Sequence, residues 1–113
     1  MSAVARIVAV FGPCRGVVRE IDRGLLVGRS ADAGLQLIDE KVSREHCRIE
    51  AVAQGFAVSD LGSRNGTYVN GVAVSREPHP LPVGARLRLG LVEFWFVDSP
   101  GLYRALMSAP PAS

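Results

Sequence analysis

Three short clusters carry most of the polar chemistry in this 113-residue chain: Gly28-Arg29-Ser30, Lys41-Val42-Ser43-Arg44-Glu45-His46, and Leu61 to Gly71. Arg29, Lys41, Arg44 and Arg64 supply forked or point cations. Ser43 and Ser63 supply compact hydroxyls, and Asn65 an amide that both donates and accepts. That inventory suits a tetrahedral dianion with one peptide group beside it. A phosphorylated side chain carries about −1.5 to −2 charges and three strong acceptors, so clustered arginine is its expected receptor. Taken singly, each cluster also reads as plain structure: a turn after a strand, a serine bonded to local backbone, an Asn-Gly hairpin. It is their combination that has a chemical meaning.

All three clusters fall between stretches that read as strands. Residues 4–11 form an almost unbroken apolar run and read as a buried strand. Val17 to Ile21 and Leu25 to Val27 follow, turned around Asp22-Arg23-Gly24, and Leu35 and Leu37 mark a short strand. From Cys47 to Val52 the pattern alternates, placing Cys47, Ile49 and Ala51 on one side and Arg48 and Glu50 on the other. Phe56–Ser59, Thr67–Val69 and Val72–Val74 are brief strands. Between the last two, Asn70-Gly71 is a strong hairpin signal, since both turn positions need positive φ. Residues 85–89 alternate, and Leu91 to Val97 is a dense apolar strand. Many short strands divided by Gly, Pro and Asn predict an all-β sandwich or barrel.

In their order and spacing these motifs resemble the forkhead-associated (FHA) domain: Gly28-Arg29, then Ser43-Arg44-x-His46, then Leu61-Gly62-Ser63-x-Asn65-Gly66-Thr67-x-Val69-Asn70-Gly71. The likeness spans residues 4–98. It implies a two-sheet sandwich of about eleven strands whose loops at one end bind phosphothreonine peptides. Carried over by position, Arg29 and Ser43 grip the phosphate, and Arg44 and Lys41 lie beside it. Asn65 holds the ligand backbone, with Ser63 or Arg64 near the phosphate. Gly28, His46, Gly66, Thr67, Asn70 and Gly71 are architectural, His46 bracing the loops by hydrogen bonds.

The same residues argue against other functions. His46 and Cys47 are neighbours on opposite strand faces and cannot form a dyad. The two histidines and two cysteines have no zinc-like spacing, and Gly12-Pro13-Cys14-Arg15-Gly16 lacks the Lys-Ser/Thr of a P-loop. No cofactor, metal or enzyme is expected. Acidic residues interleave with basic ones at a net charge of +2, leaving no stripe for nucleic acid. No apolar run reaches membrane length and no signal-peptide pattern is present, so the expectation is a cytoplasmic protein. Its only threonine is Thr67, an architectural position, so the ligand is expected from another protein, a Ser/Thr kinase or its substrate, or from a part of the parent protein outside this sequence. The alternative is a docking module on the same fold that ignores phosphate. Residues 99–113 read as a tail or linker after the domain at 1–98, with Leu102, Tyr103, Leu106 and Met107 on one side of a short helix.

Overall fold

A computed structural model describes residues 5–12 and 14–97. They contain eleven strands and no helix: β1 Ala5–Phe11, β2 Val18–Ile21, β3 Gly24–Gly28, β4 Leu35–Gln36, β5 Cys47–Val52, β6 Gly55–Asp60, β7 Thr67–Val69, β8 Val72–Ala73, β9 His79–Pro80, β10 Arg86–Leu89 and β11 Val92–Val97. Six form one sheet in the order β2-β1-β11-β10-β7-β8, and five the other, β4-β3-β5-β6-β9. All neighbours are antiparallel except β3 and β4. The two-sheet sandwich predicted from sequence is therefore the observed fold.

The core lies between the sheets because alternate residues of each strand point inward. Ile7, Leu87, Leu89, Phe94 and Phe96 come from one sheet and Val27, Ile49 and Val58 from the other, each at most 2% exposed. Phe56 meets Phe96 edge to face, with centroids 5.4 Å apart. Burying each such side chain contributes about 1.5–3 kcal/mol, and the rigidity that results fixes the loops at the sandwich ends.

Several boundaries differ from the sequence expectation. Strand β9 has no counterpart among the expected strands. Proline is depleted in strands, but Pro80 needs no ladder N–H at the sheet edge, where His79 and Pro80 pair Val58 and Ala57. Ala51 stays in register with Phe56 but is exposed rather than buried like Cys47 and Ile49, because this end of the hairpin runs past the core. Phe11 closes the run read as wholly buried, yet is 63% exposed, and Leu91 is 55% exposed in a turn rather than in a strand. Residues 98–113, including the expected short helix, lie outside the described residues. Among those described, no helix is long and apolar enough to cross a membrane.

Candidate functional site

Strands β3 and β5 run on as a zipper of backbone bonds into the first two clusters. His46 N–H donates to Val27 O (2.9 Å), Arg29 N–H to Ser43 O (2.9 Å) and Ser30 N–H to Arg44 O (3.1 Å). Gly28 is required by space. A Cβ there would sit 2.1 Å from Arg44 O, so any side chain would push the second loop off the first. Leu37 N–H donates to Gly28 O on the other side (2.8 Å), leaving Arg29 at the rim of a fixed strand end.

The third cluster is organised by Asp60, which ends β6 and is 9% exposed. Its Oδ2 accepts from Gly62 N–H (3.0 Å) and Ser63 N–H (2.9 Å), an Asx-type turn. Its Oδ1 accepts from the hydroxyls of Ser63 and of buried Thr67 (2.7 Å). Burial alone would raise this carboxyl, but the donors from Ser63, Thr67 and Gly62 outweigh it and hold the group below its ordinary value. Ser63 Oγ accepts in turn from Gly66 N–H (3.0 Å). Ser63, read as a candidate near the phosphate, thus spends its proton inside the loop.

His46 joins the second loop to the third. Fully buried, it accepts from Ser43 N–H at Nδ1 (3.0 Å) and donates from Nε2 to Gly66 O (2.8 Å). Those partners fix the tautomer with the proton on Nε2. Burial lowers its pKa, against smaller opposing effects of the Gly66 bond and the Asp60 charge. Two more links cross the same seam: Arg64 N–H donates to Ser43 Oγ (3.0 Å) and Asn65 Nδ2 to Lys41 O (2.8 Å).

The consequence for Ser43 is specific. Its oxygen accepts from Arg64 N–H, while among the described residues no group takes its own proton. Around it Arg29, Lys41, Arg44 and Arg64 are all exposed. Among the described residues none of the four is in an ion pair; Arg6–Glu20 and Arg86–Glu93 pair elsewhere. Asn65 keeps its carbonyl oxygen and one amide proton. The three loops therefore converge on a rim of unneutralised cations, one hydroxyl donor and one amide.

Residues 25–90 match the family model of the FHA domain. The chain belongs to the FHA domain family. FHA domain-containing protein FhaB of Mycolicibacterium smegmatis is 38% identical over 66 residues, covering 58% of this chain and 42% of FhaB. Glycogen accumulation regulator GarA of the same species is 34% identical over 103 residues, 88% of this chain and 62% of GarA. This chain thus spans about two fifths to three fifths of these relatives. Among solved structures, one from a study of phosphothreonine-dependent FHA domain interactions superposes with TM-score 0.73 at 30% identity, covering 86% of this chain and 98% of that one. Mycobacterium tuberculosis EmbR in complex with a low affinity phosphopeptide superposes with TM-score 0.76 at 28% identity, covering 86% and 25%.

Within this FHA domain the sequence-read residues separate into two groups. Arg29, Lys41, Ser43, Arg44, Arg64 and Asn65 meet at the loop rim; Gly28, His46, Gly66 and Thr67 lie behind it. Asn70 and Gly71 form the β7–β8 hairpin with φ of 50° and 83°, and Asn70 Oδ1 caps Arg86 N–H (2.9 Å). Two features escaped the sequence reading. The first is Asp60, which lies just outside the Leu61–Gly71 cluster although Asp-x-Gly-Ser carries the Asx-turn signal. The second is the close approach of the Gly12 backbone to Leu91 O, with Gly90 against Lys41. That contact is non-local and leaves no pattern in sequence. The enzyme reading gains nothing here: burial pushes the Cys47 thiol up to about 12, far from a reactive thiolate.

Proposed function

We propose that this FHA domain binds phosphothreonine segments of a partner protein, a Ser/Thr kinase or its substrate, and performs no catalytic step of its own. The observation that carries the reading is the proton of Ser43, unspent among the described residues, set among four exposed cations that form no ion pair among those residues. Arg29 and Ser43 hold the phosphate. Arg44 and Lys41 add charge beside it, and Arg64 extends the cationic rim. Asn65, anchored through Lys41 O, offers its remaining amide groups to the ligand backbone. Ser63 acts as a brace. Exposed Phe11 and Leu91, on segments that approach each other and Lys41 through Gly12 and Gly90, offer apolar contact to residues flanking the phosphothreonine. The setting that goes with such a partner is the cytoplasm.

Matched peptides titrated by calorimetry test this. The phosphothreonine form is expected to bind better than phosphoserine, the extra methyl being worth about 1–3 kcal/mol in an apolar pocket, or roughly tenfold and more. Equal binding of the unphosphorylated form would sink the reading. Acid is expected to act twice. The phosphate loses its second charge near pH 6, so affinity falls below neutrality at fixed ionic strength. The scaffold weakens as well. His46 titrates lower folded than unfolded, so the unfolded chain takes up protons first as pH falls below about 6.5. Stability is complete above that pH and is lost going down. Asp60 adds a loss of the same sign below the ordinary carboxyl range. Peptide-free melts across pH 5–7.5 separate the scaffold effect from the ligand's own titration.

A further inference from the structure

The third loop passes into β7 at Thr67. Thr67 and Val69 are buried, so alternation makes Tyr68 the first side chain of that strand on the outer face of its sheet. The matching position on β10 is Arg88, set between buried Leu87 and Leu89 and directly opposite Tyr68. Beyond the inward pair Thr67–Leu89 come Gly66 and Gly90, which carry no side chains, so nothing on these two strands stands between the outward pair and the rim. Tyr68 reaches the rim itself. A Cβ at Gly66 would lie 3.1 Å from the Tyr68 hydroxyl oxygen and from its ring edge, so the ring overhangs the residue next to Asn65. Arg88 stacks on that ring, its guanidinium carbon 4.6 Å from the centroid. Both polar ends are unspent. Among the described residues the Tyr68 hydroxyl has no hydrogen-bond partner and exposed Arg88 no ion pair. Glu93, the carboxylate that the register places beside Arg88, turns instead to Arg86 (3.6 Å).

We infer that Tyr68 and Arg88 form a second anion-reading subsite, which takes an acidic side chain of the ligand, a carboxylate or a second phosphate, a few residues from the phosphothreonine. The inference rests on the phosphothreonine reading above. A guanidinium stacked on an aromatic face keeps its in-plane N–H groups clear while the ring holds it in place. Those groups can receive an anion two-pronged, and the phenol adds a further donor. Because the ring fixes the fork before the ligand arrives, less side-chain freedom is lost on binding. A ligand backbone held at Asn65 runs past the edge of the Tyr68 ring. An extended chain advances about 3.3 Å per residue, which brings a flanking side chain within reach of Arg88. The subsite selects among phosphorylated partners. The grip on the phosphothreonine does not depend on it, because Arg29 and Ser43 come from the other two loops.

The test is a scan of the ligand against variants of the full chain. A phosphothreonine peptide with alanine at its flanking positions is titrated by calorimetry, and glutamate is then placed at each flanking position in turn. One position is expected to gain about fivefold, the scale of a well-aligned exposed ion pair. The gain should vanish in Arg88→Ala, shrink in Arg88→Lys and Tyr68→Leu, and reverse in Arg88→Glu, which should prefer lysine there. Arg88→Ala should bind the alanine-flanked peptide as wild type does. Arg48→Ala, which removes an exposed cation from β5 in the other sheet, should leave the gain intact. Phosphoserine at the same position tells the two sources apart: a gain larger than that of glutamate assigns a second phosphate, and an equal one a carboxylate. A flat scan on a peptide that binds would overturn the subsite, as would a gain that survives Arg88→Ala or is lost equally in Arg48→Ala, and each leaves the phosphothreonine site standing. Failure of every phosphopeptide to bind would remove both.

Discussion

Replacing Arg29 by alanine is expected to weaken phosphopeptide binding about 100-fold while leaving the fold alone. A forked guanidinium on a dianion makes charge-assisted bonds worth about 1.5–3 kcal/mol each, and two of them set that scale at roughly 1.4 kcal/mol per tenfold. The side chain is exposed and, among the described residues, in no ion pair, and what holds the loop together is the Arg29 backbone, through its N–H on Ser43 O and its carbonyl, which accepts from Gln36 Nε2. Alanine keeps both. The melting temperature should therefore move no more than for an ordinary surface change, within about 0.5 kcal/mol. Arg29→Lys should recover charge but not the fork, and fall between the two. Calorimetry and a thermal melt on each variant decide it. Wild-type affinity in a folded Arg29→Ala chain would mean that the phosphate is held elsewhere.

The second large effect is on stability. Asp60→Ala strips the acceptor from Gly62 N–H, Ser63 N–H and the hydroxyls of Ser63 and Thr67. Gly62 can turn to water, but Thr67 is fully buried. Leaving such donors unsatisfied costs about 1–3 kcal/mol each, so a loss of roughly 2–4 kcal/mol is expected. In a domain of this size that lowers the melting point by some 10–20 °C. Asp60→Asn retains one acceptor oxygen and should fall by less. Below its melting point the alanine variant should also bind peptide more weakly, because the turn that presents Arg64 and Asn65 has lost its anchor. A melting point within a few degrees of wild type would show that Asp60 does not organise the loop.

How much of this was legible in the sequence depends on locality. Asn70-Gly71 announced its hairpin because the turn's dihedrals are a property of those two residues. Gly28, Arg29, Ser43, His46 and Asn65 could be named from the ordered motifs, and the structure brings the three loops that carry them to one end. The sequence could not apportion roles within a motif. Ser63 and Ser43 are the same residue type, yet one donates to Asp60 and the other keeps its proton, a distinction set by which neighbour folds back. Strand β9 is two residues long and contains a proline, so only its pairing with β6 defines it. An apolar run does not say where the sheet stops, so Phe11 reads as core and is 63% exposed, and the approach of Gly12 to Leu91 O joins segments far apart in the sequence.

The central claim is that the rim reads a phosphate dianion, and a single pair of titrations bears on it most directly. A peptide selected from a degenerate phosphothreonine library is titrated into the wild-type chain at neutral pH by calorimetry, and again after phosphatase treatment. The account predicts saturable one-to-one binding of the phosphorylated peptide, weakened by added salt, and no measurable heat from the dephosphorylated one. Equal affinity for both forms would contradict it, and would assign the module to phosphate-independent docking.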